Sequence, residues 1–152
     1  MGLVVLHPGA ELVSGEEGSA DVIPSAARNL MSAVQNLNDN SVVARLTYGQ
    51  VSFLLPGDAG VGVEQRLVAE GVPLQSTVLK VAHHGSCGST GQVFLEAVRP
   101  QVVVVSVGAD NDFGHPCAGV LERLAGIPTY RTDERGTIEV ITDATQVWVE
   151  TE

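Results

Sequence analysis

Residues 101–107 read QVVVVSV, and this run decides the fold. Four valines in succession leave no polar face, so the segment predicts a strand covered on both sides. Working outward, residues 92–98 (QVFLEAV) have helical spacing and stop before Pro100, and residues 77–82 (TVLKVA) predict another strand. Residues 63–70 (VEQRLVAE) predict an amphipathic helix ended by Gly71. Residues 116–125 (PCAGVLERLA) predict a helix with Pro116 in its first turn. Strands that alternate with helices form an α/β sheet with helices packed on it.

The flanks are β-rich. Residues 41–48 and 51–55 surround Gly49-Gln50, which predicts a hairpin. Residues 3–6 (LVVL) predict a short strand ending at His7-Pro8. Residues 9–21 are acidic and Gly-rich and read as an exposed loop, and residues 25–37 have helical spacing with Ser25 as N-cap. Residues 129–131, 137–142 and 146–150 predict a closing β meander, with DERG and DAT as its turns. No repeat or linker divides the chain, so residues 1–152 are read as one unit.

Composition narrows the function. The chain has 152 residues, 44% of them apolar and only 4% aromatic. That content sustains an aliphatic core and excludes disorder. Lys and Arg number 8 against 18 Asp and Glu, a formal charge of -10. A bare surface of that sign does not bind nucleic acid non-specifically, though a metal cation can reverse the local field. Residues 1–20 lack a basic start and a long apolar core, so no signal peptide is expected, and no apolar run reaches membrane length. A soluble chain is therefore expected. Cys87 and Cys117 stand in unlike contexts and suggest neither a disulfide framework nor a C-x-x-C knuckle.

Polar residues gather just beyond the apolar runs. Asp58 follows FLLPG, His83 and His84 follow TVLKVA, and Ser106 to His115 follow QVVVV. In open α/β sheets, sites form beyond the carboxyl ends of strands. If these strands run parallel, the three clusters lie side by side. Asp58 is then either a metal ligand or a turn residue of P-G-D-A-G. His83 and His84 are either one ligand and one proton carrier, or one buried and one exposed loop histidine. On an extended chain they would point opposite ways. Gly85-Ser86 offers N–H groups to an anion or merely permits a tight turn. His115 is a ligand, a phosphate donor, a general acid, or a residue placed before a helix. Asn38 to Ser41 are site residues or caps. His7, lacking acidic companions, reads as structural. Arg123, Arg131 and Arg135 read as surface residues.

The order of these motifs carries a resemblance. NDNSVV, FLLPGDA, VLKVAHHGSCGST, RPQVVVVSVGADNDFGHP and YRTDERGTIEV, across residues 3–150, resemble the C-terminal end of the ComEC competence proteins. HHGS-x-x-ST followed by N-x-F-G-H-P is its most specific part. Through that family the chain is similar to the metallo-β-lactamase superfamily. The resemblance implies a four-layer αββα fold and a hydrolytic site with one or two Zn or Mn ions. It implies a role in natural transformation, within an inner-membrane protein that passes single-stranded DNA, with this domain on the extracytoplasmic side. The reaction implied is that of a phosphodiesterase or DNase. Asp58 and His83 match metal ligands, and His84, Ser86, Asn111 and His115 would line the site.

One departure matters. The superfamily's H-x-H-x-D-H, or H-x-D-x-D-H in this family, is absent. The chain thus resembles the second half of such a domain, with an incomplete ligand set. Weak or absent metal binding, an inactive truncated form and self-association through an uncovered sheet surface are expected. Other readings are a non-catalytic module of DNA-uptake assembly and a hydrolase of another phosphoester.

Overall fold

A computed structural model describes the backbone of residues 1–7 and 37–152. The expected loop at 9–21 and nearly all of the expected helix at 25–37 lie outside the described residues. Strand β1 (Gly2–His7) pairs antiparallel with β2 (Val43–Tyr48), and β2 pairs antiparallel with β3 (Val51–Leu55). Gly49 takes φ +59° at the β2–β3 turn, a conformation that glycine adopts without steric cost. A Cβ there would also collide with the backbone of Ala144.

Three crossovers follow, each through a short helix. Helix α1 (Val61–Ala69) leads to β4 (Val78–Lys80), and α2 (Gln92–Val98) leads to β5 (Val102–Val105). Helix α3 (Ala118–Arg123) leads to β6 (Thr129–Arg131). Strands β3 to β6 pair parallel in sequence order, which completes a six-stranded mixed sheet ordered β1-β2-β3-β4-β5-β6. Successive crossovers advance in one direction, so right-handed connections keep their helices on one face.

That face is the core. Leu54, Leu79, Val81, Val103 and Val105 from the sheet region meet Val63, Leu67, Phe94, Leu95, Val98, Val120 and Leu124 from the helical side. Cross-strand register puts Leu54, Leu79 and Val103 in one row. The opposite face carries Val51 and Val78, both buried, then Leu46, Phe53, Val102, Val104 and Tyr130, all half-buried, with Tyr48 and Leu55 exposed at 44% and 40%.

The structure corrects two local expectations. The closing segments do not form one meander: β6 joins the main sheet in parallel. After a helical turn α4 (Thr132–Arg135), strands β7 (Ile138–Thr142) and β8 (Val147–Thr151) form a separate antiparallel hairpin. Asp133 to Arg135 of DERG lie in that helical turn and Gly136 caps its end, with Asp133 paired to Arg131 at its start. Pro116 is not in the first turn of α3. It precedes the N-cap Cys117, because Pro116 packs against Gly85 instead.

Candidate active site at the carboxyl ends of the parallel strands

Strands β3, β4 and β5 run parallel, so the loops after them emerge side by side. The β3 loop turns at Pro56-Gly57, with Gly57 at φ +60°, and presents Asp58. Asp58 N–H donates to the Ser41 hydroxyl (3.2 Å). The β4 loop is anchored where His83 N–H donates to Gly57 C=O (2.9 Å). His83, His84 and Gly85 then take φ of 47°, 54° and 85° in succession. Non-glycine residues in this left-handed region cost about 1–2 kcal/mol each, so surrounding contacts must hold them there. The histidines therefore do not lie on an extended chain, and the expectation that they point opposite ways does not apply. Their ring centroids are 6.5 Å apart.

The two rings have distinct partners. His84 Nδ1 lies 2.6 Å from the carbonyl oxygen of Ser106, at the end of β5, and donates its hydrogen there. Nε2 is thereby left facing Asp58 Oδ1 at 3.9 Å. A backbone carbonyl on one ring nitrogen is the usual way to orient the other toward a ligand. Asn38 Nδ2 donates to His83 Nδ1 (3.4 Å). Asn38 belongs to the 3-10 turn Leu37–Asn40, so the NDNS segment supports the site through both Asn38 and Ser41. The His83 ring also meets the His115 ring edge-on, with centroids 5.8 Å apart.

The third loop, after β5, is closed by Asn111. Its Nδ2 donates to Gly108 and His115 carbonyls (both 2.8 Å), and its Oδ1 accepts from His115 N–H (3.0 Å). Asn111 thus spends its amide on shaping the loop that delivers His115. Ser86 lies in the β4 loop, where its N–H donates to His83 C=O (2.8 Å) and its hydroxyl accepts from Gly88 N–H (3.4 Å). Phe113 stacks on His115 and is 81% exposed.

Several supports were not foreseen from sequence. Cys87 and Cys117 form a disulfide, contrary to the reading of them as unrelated thiols. It forms because Cys117 N–H donates to Gly85 C=O (2.8 Å), which brings the two loops together. Glu64 on α1 is almost wholly buried, and its carboxylate accepts from the N–H groups of Thr90 and Gly91. Burial pushes its pKa up, against those two hydrogen bonds and Arg123, which pull it down. Arg123 is no simple surface residue: it donates to the carbonyls of Thr90 and Ser89 (2.9 and 3.1 Å). Lys80, inside the quoted KVAHHGS run, has its pKa lowered by burial, against the opposing pull of Asp58. A lone lysine ending an apolar strand was the available signal for it.

The donor set can be compared with a metal site. Asp58 and His84 face each other, whereas about four ligands close such a site. Among the described residues, no group of three or more His, Cys, Asp and Glu is placed to hold an ion. The described residues therefore do not by themselves fit a complete metal centre. What they form is an open strand-end cluster of three imidazoles and a carboxylate, with a lysine beside it.

An α/β protein with a polar cluster at its parallel strand ends is the class that the geometry defines. No family model matches the chain. Curated relatives do. It is 38% identical over 104 residues to ComE operon protein 3 of Bacillus subtilis, covering 67% of this chain and 13% of that protein. It is 39% identical over 110 residues to competence protein ComA of Neisseria gonorrhoeae, covering 69% of this chain and 16% of the relative. Recombination protein 2 of Haemophilus influenzae is 39% identical over 87 residues, 57% of this chain and 11% of that protein. By this homology the chain belongs to the ComEC family of competence proteins. It spans only 11–16% of the length of these three relatives.

Proposed function

We propose that this chain is part of the metal-dependent phosphodiesterase, DNase-like unit of a ComEC-type DNA-uptake protein. The observation that supports it is the convergence of Asp58, His83, His84 and His115 on one strand-end cluster. In the complete unit, Zn or Mn would supply the positive charge and the activated water that phosphodiester cleavage requires. Asp58 and an imidazole of the His83-His84 pair would contribute ligands. His83 is the residue expected from the resemblance, whereas His84 faces Asp58 within 3.9 Å. His115 is suited to protonate a leaving oxygen, and the Ser86 hydroxyl to contact a phosphate. The remaining ligands would come from an H-x-D-x-D-H half, and the half-buried apolar face of the sheet supports a second sheet as partner. Without those ligands the unit is inactive in this form.

The parent protein would sit in the bacterial inner membrane. Among the described residues no helix is long and apolar enough to cross a membrane. The Cys87–Cys117 disulfide supports an extracytoplasmic site, because such bonds persist in oxidising compartments. The short ligand set favours a second reading, a non-catalytic assembly module.

Cleavage of single- and double-stranded DNA with Mn or Zn separates the two. Fusing an H-x-D-x-D-H half to this chain should create activity that Asp58→Asn removes, and His83→Ala against His84→Ala identifies the ligand. A fused protein that holds metal and leaves DNA intact would rule out the nuclease reading.

A further inference from the structure

At the opposite end of the sheet from the histidines lies a polar cavity of about 280 Å³. Its lining comes from the starts of the parallel strands: Ser52 on β3, Ser76 and Thr77 before β4, and Gln101 before β5. Arg45 on β2 and Arg99 after α2 add two guanidinium groups. Among the described residues no acidic side chain lines it.

The placement of Arg45 is unusual for a strand. It pairs with Leu54 in register, so it projects toward the helix-covered face, where apolar side chains belong. It is half-buried, and its hydrogen bonds among the described residues are all to neutral groups: Nε donates to Gln75 C=O (3.0 Å) and the Ser76 hydroxyl (3.2 Å), and Nη1 donates to the Thr47 hydroxyl (2.9 Å). Among the described residues the Arg99 side chain donates only to the Glu96 carbonyl (3.2 Å). Among the described residues neither has a carboxylate within ion-pair distance. In a chain of net charge -10, two neighbouring cations without a carboxylate partner among the described residues are a specific arrangement. Withdrawing a guanidinium from water is costly unless an anion joins it. The nearby end of α2 opposes an anion little, because two of its last carbonyls are engaged: Leu95 C=O by Arg99 N–H and Val98 C=O by Ser76 N–H.

We infer that this cavity is a second, oxyanion-binding site that takes a phosphate group. Arg45 is held in place by three acceptors, so little side-chain freedom remains to be lost on binding. Its Nη2 group has no partner among the described residues and is available for charge-assisted hydrogen bonds. Gln101 and Thr77 supply neutral donors beside it. At about 280 Å³ the cavity has room for a phosphate group with its surrounding water. The phosphate could be inorganic or part of a nucleic-acid backbone. This site stands independently of the catalytic proposal.

Titration with inorganic phosphate, followed by the arginine Nε–H and glutamine side-chain NMR signals, tests it. Saturable shifts at Arg45, Gln75 and Gln101 are expected at millimolar phosphate, weakened about tenfold in Arg99→Gln and in Arg45→Gln. Arg99 is exposed, so its variant keeps the test valid even if Arg45→Gln disturbs folding. A second arm uses a short oligothymidylate. Shifts of the same signals identify a backbone phosphate, and shifts with inorganic phosphate alone identify a free anion. Absence of saturable shifts with either probe, or phosphate affinity in both variants equal to that of the unsubstituted protein, would overturn the inference.

Discussion

Cys87 and Cys117, 30 positions apart, are joined by a disulfide that fastens the loop of His83 and His84 to the loop of His115. The bond lies beside the Gly85–Cys117 backbone hydrogen bond, so two links of different kinds hold the same pair of loops. A cross-link of this span stabilises by about 3–4 kcal/mol in the chain-entropy account. Cys87→Ser with Cys117→Ser should therefore unfold at clearly lower urea than the oxidised protein. An unchanged midpoint would show that the bond is stabilising nothing.

Gly85 and Pro116 define how closely those loops approach. A Cβ on Gly85 would lie 2.6 Å from Pro116 Cβ, at φ +85°. Gly85→Ala should cost about 2–5 kcal/mol, combining left-handed strain and overpacking. Gly62 in α1 has open space around it, so Gly62→Ala should instead stabilise by about 0.5–1 kcal/mol. Urea denaturation of both variants measures the contrast.

Glu64 should make stability depend on pH. Its pKa in the folded chain lies above the ordinary value of 4.5. Between that value and the raised one, the native state holds the proton that the unfolded state has released. Stability contributed by this group is present below pH 4.5 and is lost as pH rises through the raised pKa. In Glu64→Gln that decline should vanish, while the lost carboxylate acceptor lowers stability by about 1–3 kcal/mol. Urea midpoints of the two proteins across pH give the difference, and parallel profiles would refute the assignment.

Asn111 should act on His115 through the backbone. Asn111→Ala removes three hydrogen bonds from one loop. A loss of about 1–3 kcal/mol is expected, with exchange broadening of the His115 imidazole signals. Sharp, unshifted His115 signals in the variant would argue against that positioning role.

The α/β architecture was legible because it rests on local pattern. The Gly49-Gln50 hairpin and helix α2, Gln92–Val98, occur where spacing placed them. The grouping of Asp58, His83, His84 and His115 was legible too, but conditionally: it required parallel strands, and parallel pairing is what places their loops together. The closing strands were harder. Residues 129–131 and 138–142 share β-rich composition, and nothing local tells a sheet edge from a separate hairpin.

By itself, the sequence determined the element types, the apolar strand cores and the order of chemistry-bearing loops, because these follow from periodicity and turn residues within short windows. Tertiary structure alone decided the partners. It joined Cys87 to Cys117, set His84 rather than His83 opposite Asp58, brought Asn38 to His83 across 45 positions, and placed Arg45 in a cavity that no carboxylate among the described residues lines. Each of these depends on distances between segments remote along the chain. Such distances are set by how the helices pack on the sheet, and no local pattern encodes them.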